Sequence, residues 1–153
     1  SCEGPEGPRG PAGAAGTDGT DGNANVIVYS FGDTTFTSTA NFIQYHLVGM
    51  TEGQMDSSVV LPYFSNTGNV WYLAGGYGSG GAYITRFFIW PDATPPTVNI
   101  QMLNTDGSVY SGSDETWDSV RIFIIPATDF RMAEENGLNW KNFSEVNSFY
   151  NQK

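Results

Sequence analysis

"WDSVRIFIIP", residues 117–126, is the stretch on which the reading of this chain turns. Val120, Ile122 and Ile124 share one parity, so an extended backbone presents all three on one face. The step is two, not the 3–4 of an amphipathic helix, and it predicts a strand with that face against a core.

The segments around it repeat the pattern. "AYITRFFIW" (82–90) predicts a strong strand, stopped by "PDATPP" (91–96), and "TVNIQMLN" (97–104) predicts another. "TDGS" (105–108) then reads as a tight hairpin turn with Asp106-Gly107 at its tip. Upstream, "NVIVYSF" (25–31) is rich in β-branched and aromatic residues. "NFIQYHLVGM" (41–50) alternates Ile43, Tyr45 and Leu47 against Phe42, Gln44 and His46. "SSVVLPYFSN" (57–66) and "NVWYLAGG" (69–76) follow, with "NTGN" (66–69) as the turn between them. Strands at this spacing predict an all-β fold, an antiparallel β-sandwich head. Ile43, Leu47, Val59, Leu61, Ile84, Ile100, Ile122 and Ile124 are its expected core.

The C-terminal end, about residues 129–151, changes period. "TDFRMAEENG" (128–137) predicts a short helix, with Thr128 and Asp129 as capping residues and Asn136-Gly137 as its stop. In "NWKNFSEVNSFYN" (139–151), Trp140, Phe143, Val146, Phe149 and Tyr150 form one helical stripe. Such a stripe covers a sheet or a neighbouring subunit.

The N-terminal end is of another kind. Gly4, Gly7, Gly10, Gly13, Gly16, Gly19 and Gly22 recur at every third position without a miss. Three polyproline-like chains wound together leave room only for glycine at their shared axis. Pro5, Pro8 and Pro11 take X positions, where their fixed φ suits such a helix, and Glu6 and Arg9 could pair between chains. The expected division is residues 1–25 as an extended collagen-like stalk and 26–153 as the head. The repeat predicts a homotrimer; a docked tether and a loose spacer are the alternatives.

Composition bounds the rest. The chain has 153 residues, of which 14% are charged, with a formal net charge of −10. That charge argues against nucleic acid and anionic lipid, and no apolar run approaches a membrane span. Cys2 is the only cysteine, which excludes an internal disulfide. It is expected to carry a lipid anchor or an interchain disulfide. Ser1 is the kind of small residue found before the cleavage that exposes a lipoprotein cysteine, and the lipid would be the only tie to a membrane.

Together, the N-terminal Cys, "GPEGPRGPAG" (4–13), "GNANVIVYSF" (22–31), "VWYL" (70–73), "NTDGSVYSG" (104–112) and "RIFIIPA" (121–127) resemble the collagen-like surface lipoproteins of Bacteroidota. The resemblance covers nearly the whole chain. It implies an exported β-domain on a Gly-X-Y stalk at the cell surface, and says little about chemistry.

Candidate sites are few. His46 is the only histidine, so neither a triad nor a histidine zinc site is expected. Asp114-Glu115 and Glu134-Glu135 pair carboxylates, but in a polar turn and on a helix, where solvated charge explains them. Asn104, Asp106, Ser108 and Glu115 match an EF-hand count, yet Val109 stands where the turn glycine belongs. "LAGGYGSGGAY" (73–83) lacks the Lys-Ser/Thr of a phosphate loop and reads as a hairpin between strands. No catalytic residue, metal or cofactor is expected. Trp71, Tyr72, Tyr77 and Tyr83 are the candidates for stacking on a sugar ring. Thr34, in "DTT" (33–35), is the candidate O-glycosylation acceptor, in an expected turn. "DSV" (118–120) also fits that signal but falls in a strand, and "NFS" (142–144) matches an N-glycosylation signal. The expectation is a non-enzymatic cell-surface structural protein, a unit of a larger assembly or filament. The alternative is a glycan-binding or accessory lipoprotein subunit of an outer-membrane complex.

Overall fold

The computed structural model describes residues 25–37, 42–67 and 70–150. The Gly-X-Y segment, with Cys2 and all seven of its glycines, lies outside them. The described chain is mostly β-sheet with two short C-terminal helices.

Among the described residues, nine strands run in the order β1 (Ile27–Phe31), β2 (Thr34–Phe36), β3 (Phe42–His46), β4 (Ser58–Thr67), β5 (Val70–Leu73), β6 (Ile84–Trp90), β7 (Thr97–Leu103), β8 (Glu115–Trp117) and β9 (Ser119–Pro126). Helix α1 (Glu52–Asp56) precedes β4, and α2 (Ala127–Glu135) and α3 (Phe143–Tyr150) end the chain. A four-stranded sheet has the order β1-β9-β4-β5, a three-stranded sheet β3-β7-β6, and β2 pairs with β8. Every pairing is antiparallel.

Strand β9 sits inside the larger sheet and is buried on both faces. Val120, Ile122 and Ile124 join Val60 and Phe64 of β4 in one core cluster, which also takes Tyr45, Leu47, Val98, Ile100 and Met102 from the side of the smaller sheet. Phe123 and Ile125 point the other way, with Tyr63, into a second cluster built with Ala133, Phe143, Val146 and Tyr150. Each such side chain contributes about 1.5–3 kcal/mol by leaving water. Of the eight expected core residues, Leu47, Ile100, Ile122 and Ile124 are buried, and Ile43, Val59, Leu61 and Ile84 are half-buried. Val59 and Leu61 belong to the second cluster, which the expectation of a single inward face leaves out.

The stripe on the last helix works as its spacing predicts. Phe143, Val146 and Tyr150 are buried against the outer face of the larger sheet, and Phe143 stacks on Trp71 of β5 at 4.0 Å. Asn142 caps that helix, its Oδ1 accepting from the N–H groups of Ser144 and Glu145, so the glycosylation-like triplet begins with a helix cap. Helix α2 ends as expected. Gly137 adopts φ +70°, its N–H bonds to the Glu134 carbonyl and that of Leu138 bonds to Ala133. Its start differs. The helix begins at Ala127 directly after Pro126, which makes no side-chain cap, and the expected caps Thr128 and Asp129 lie within its first turn. Pro126 is also the last residue of β9, so strand passes into helix with no side-chain cap between them.

The glycine-rich 73–83 segment also departs from its reading. It closes a small turn of its own, in which Tyr77 pairs with Ile84, but it joins β5 of one sheet to β6 of the other. A Cβ at Gly78 would stand 1.9 Å from the Tyr83 ring, so glycine there lets the ring lie against the backbone.

Candidate functional site

The four nominated aromatics do not form one platform. Successive residues of a strand point to opposite faces. Trp71 therefore lies under the last helix, stacked on Phe143, with the Arg121 guanidinium 5.4 Å from its ring. Tyr72 turns inward and stacks on Phe64 at 5.3 Å. Tyr83 is 1% exposed, accepts from Trp117 Nε1 and donates to Glu115. Burial pushes its phenol up to about 12. Tyr77 alone is open, at 66% exposure. Trp71, Tyr72 and Tyr77 do share an open groove of about 350 Å³ along β5, with Lys141 at its side. Most of the ring surface that could stack there is already taken.

The other candidates are occupied within the fold. Glu115 accepts hydrogen bonds from Asn66 and Tyr83, so it ties β8 to its neighbours. Asn104 Nδ2 donates to Ser108 Oγ, Val109 O and Ser111 Oγ. Asp106 Oδ1 accepts from the Ser108 hydroxyl and N–H, bonds that hold its carboxyl below the usual range. These groups serve the turn itself. Among the described residues, no three His, Cys, Asp or Glu side chains cluster as metal ligands would. Thr34 opens β2 and is half-buried, its hydroxyl donating to the Gly32 carbonyl. The expected turn ends one residue earlier.

A different surface stands out: the outer face of β3-β7-β6. Among the described elements, the helices make their main contacts with β4, β5 and β9 of the larger sheet. Register puts Phe42, Gln44 and His46 of β3, Gln101, Asn99 and Thr97 of β7, and Arg86, Phe88 and Trp90 of β6 side by side. Phe42 reaches over the central strand to Phe88 and Trp90, with ring centroids 5.4 and 5.7 Å away. Trp90 is 40% exposed. Arg86 Nε donates to Gln101 Oε1 at 2.6 Å. Asn99 is fully buried between the flanking strands, its Nδ2 donating to Thr97 and its Oδ1 without a partner. No carboxylate belongs to these three rows in a chain of charge −10. The face combines aromatic surface with amide, imidazole and guanidinium groups. That suits binding, and a neutral or anionic ligand over a cationic one.

The sequence held half of this signal. The alternation of Phe42, Gln44 and His46 against Ile43 and Tyr45 marks them as outward residues. In "TRFFIW" (85–90), Arg86, Phe88 and Trp90 share one parity, and the charge of Arg86 marks that side as the outer one. No protein-family model, no curated protein and no solved structure matches this chain.

Proposed function

We propose that this chain is a non-enzymatic cell-surface structural protein, in which a trimeric Gly-X-Y stalk presents an antiparallel β-sandwich head. The observation that carries the reading is seven uninterrupted triplets whose last glycine, Gly22, stands three residues before the described head begins. Chance rarely keeps glycine at every third position for 19 residues, and crowding at a three-chain axis gives a physical reason for it. The two sheets sharing one core cluster support the sandwich. Cys2, at the far end of the stalk, is the attachment point through lipid or an interchain disulfide. Under reducing conditions the full chain is expected to have three times its 16.6 kDa mass in solution. A single-chain mass by light scattering would overturn the stalk reading.

The outer face of the smaller sheet favours a second reading, a glycan-binding head or an accessory subunit. A screen of soluble polysaccharides by affinity electrophoresis would find retention. Trp90→Ala is expected to weaken it by about 2 kcal/mol, the cost of truncating an aromatic anchor, while Tyr77→Ala leaves it unchanged. Binding lost with Tyr77 and kept without Trp90 would move the site to the β5 groove.

A further inference from the structure

We propose that the end of the head where the Gly-X-Y segment joins it is a self-association surface, covered by the same end of two further copies of the chain. The inference rests on the triple-helical reading of the stalk and adds the contact surface of the head. Gly22 would lie at the shared axis, and Asn25 follows it by three residues. Three residues span at most about 10 Å. Each head of about 130 residues has a radius of gyration of roughly 14 Å. Three such bodies tethered this close to one axis must turn the surface around Asn25 toward one another.

That surface carries exposed apolar side chains. Ile27, two residues into the head, is 40% exposed, and Val48 is 76% exposed. Tyr29 of β1 donates to the Val48 carbonyl at 3.1 Å, so the two exposed side chains stand on adjoining elements. A shallow groove beside Asn25 and Ile27 shares Met50 with an open groove of about 470 Å³, whose wall carries Val48, Pro91, Pro95 and Pro96 together with Glu52 and Asp92. An aliphatic side chain left mostly in water next to an open, proline-lined groove is what a neighbouring copy would cover. Val109, also apolar and 57% exposed, lies at the opposite end of β7 and would stay in solvent.

The test uses the full chain with Cys2→Ser, carrying either Val48→Cys or Val109→Cys, so that each variant has one thiol. Maleimide labelling is followed on samples whose mass is measured in parallel. The expected result is a three-chain mass, with Cys at 48 labelled at least about tenfold more slowly than Cys at 109. A three-chain mass with equal rates would overturn this surface and leave the stalk reading standing. A single-chain mass with equal rates would overturn both. A single-chain mass with slow labelling at 48 would mean that the chain's own N-terminal segment lies in the groove, and would also overturn the proposal.

Discussion

Replacing Trp117 by alanine is expected to cost about 3–5 kcal/mol, the usual range for removing a large buried aromatic. Trp117 is wholly buried, lies 3.9 Å from the Phe64 ring in a stacked pair and 4.3 Å from Phe36. It thereby joins β8, β4 and β2. Its indole N–H donates to Tyr83 Oη at 3.1 Å, and Tyr83 passes the contact on to Glu115. Truncation leaves a cavity and takes the donor from a buried hydroxyl, and the second loss adds to the first. Domains of this size have only about 5–15 kcal/mol in total. The urea midpoint should therefore fall by about a fifth or more, with the slope unchanged. Trp117→Phe keeps most of the packing and should lose about 1–2 kcal/mol, the hydrogen-bond part alone. A loss under about 1 kcal/mol for the alanine variant would mean that Trp117 does not sit at this junction.

The strands were legible because a half-buried strand writes its pattern at a period of two. Ile43, Tyr45 and Leu47 opposite Phe42, Gln44 and His46 is such a case, and the structure points them as the alternation says. In β9 the period fades, because Phe123 and Ile125 are as deeply buried as Ile122 and Ile124. An apolar run of both parities says that both faces are covered, but not what covers each. The helical stripe at Phe143, Val146 and Tyr150 supplied the missing layer, and only the three-dimensional pairing shows that it lies over Tyr63 and Phe123. The order β1-β9-β4-β5 brings together strands far apart in the chain, and no local signal encodes that.

The candidate stacking aromatics are divided between opposite faces for a related reason. Trp71 and Tyr72 are adjacent in sequence, and adjacency in a strand separates side chains onto opposite faces. Phe88 and Trp90 are two apart and share a face, while Phe42 joins them from a strand some 45 residues earlier. Parity would have grouped the first two; the third needed the register of β3 on β7.

The proposed triple-helical stalk offers the sharpest contrast between two substitutions. Gly10→Val is expected to abolish or strongly weaken the trimer, while Ala12→Val, two residues away, leaves its mass unchanged. In a three-chain helix the glycine position faces the axis, where there is no room for a Cβ, so a valine there must push three backbones apart. The neighbouring Y position points outward, and a β-branched side chain is accommodated in solvent. Both substitutions add apolar bulk, and neither changes charge. Their difference therefore reads the geometry of the segment, free of composition effects. The Gly-X-Y segment has only seven triplets, and proline is absent from the four that open at Gly13, Gly16, Gly19 and Gly22. Few neighbouring turns can absorb a defect, and loss of the three-chain mass should be complete or nearly so. Light scattering and thermal melts on the full chain, with Cys2 reduced, provide the measurement. A single extended strand has no crowded side. Equal tolerance at Gly10 and Ala12 would reduce the glycine step to a property of the spacer's composition, and the trimeric reading would fall with it.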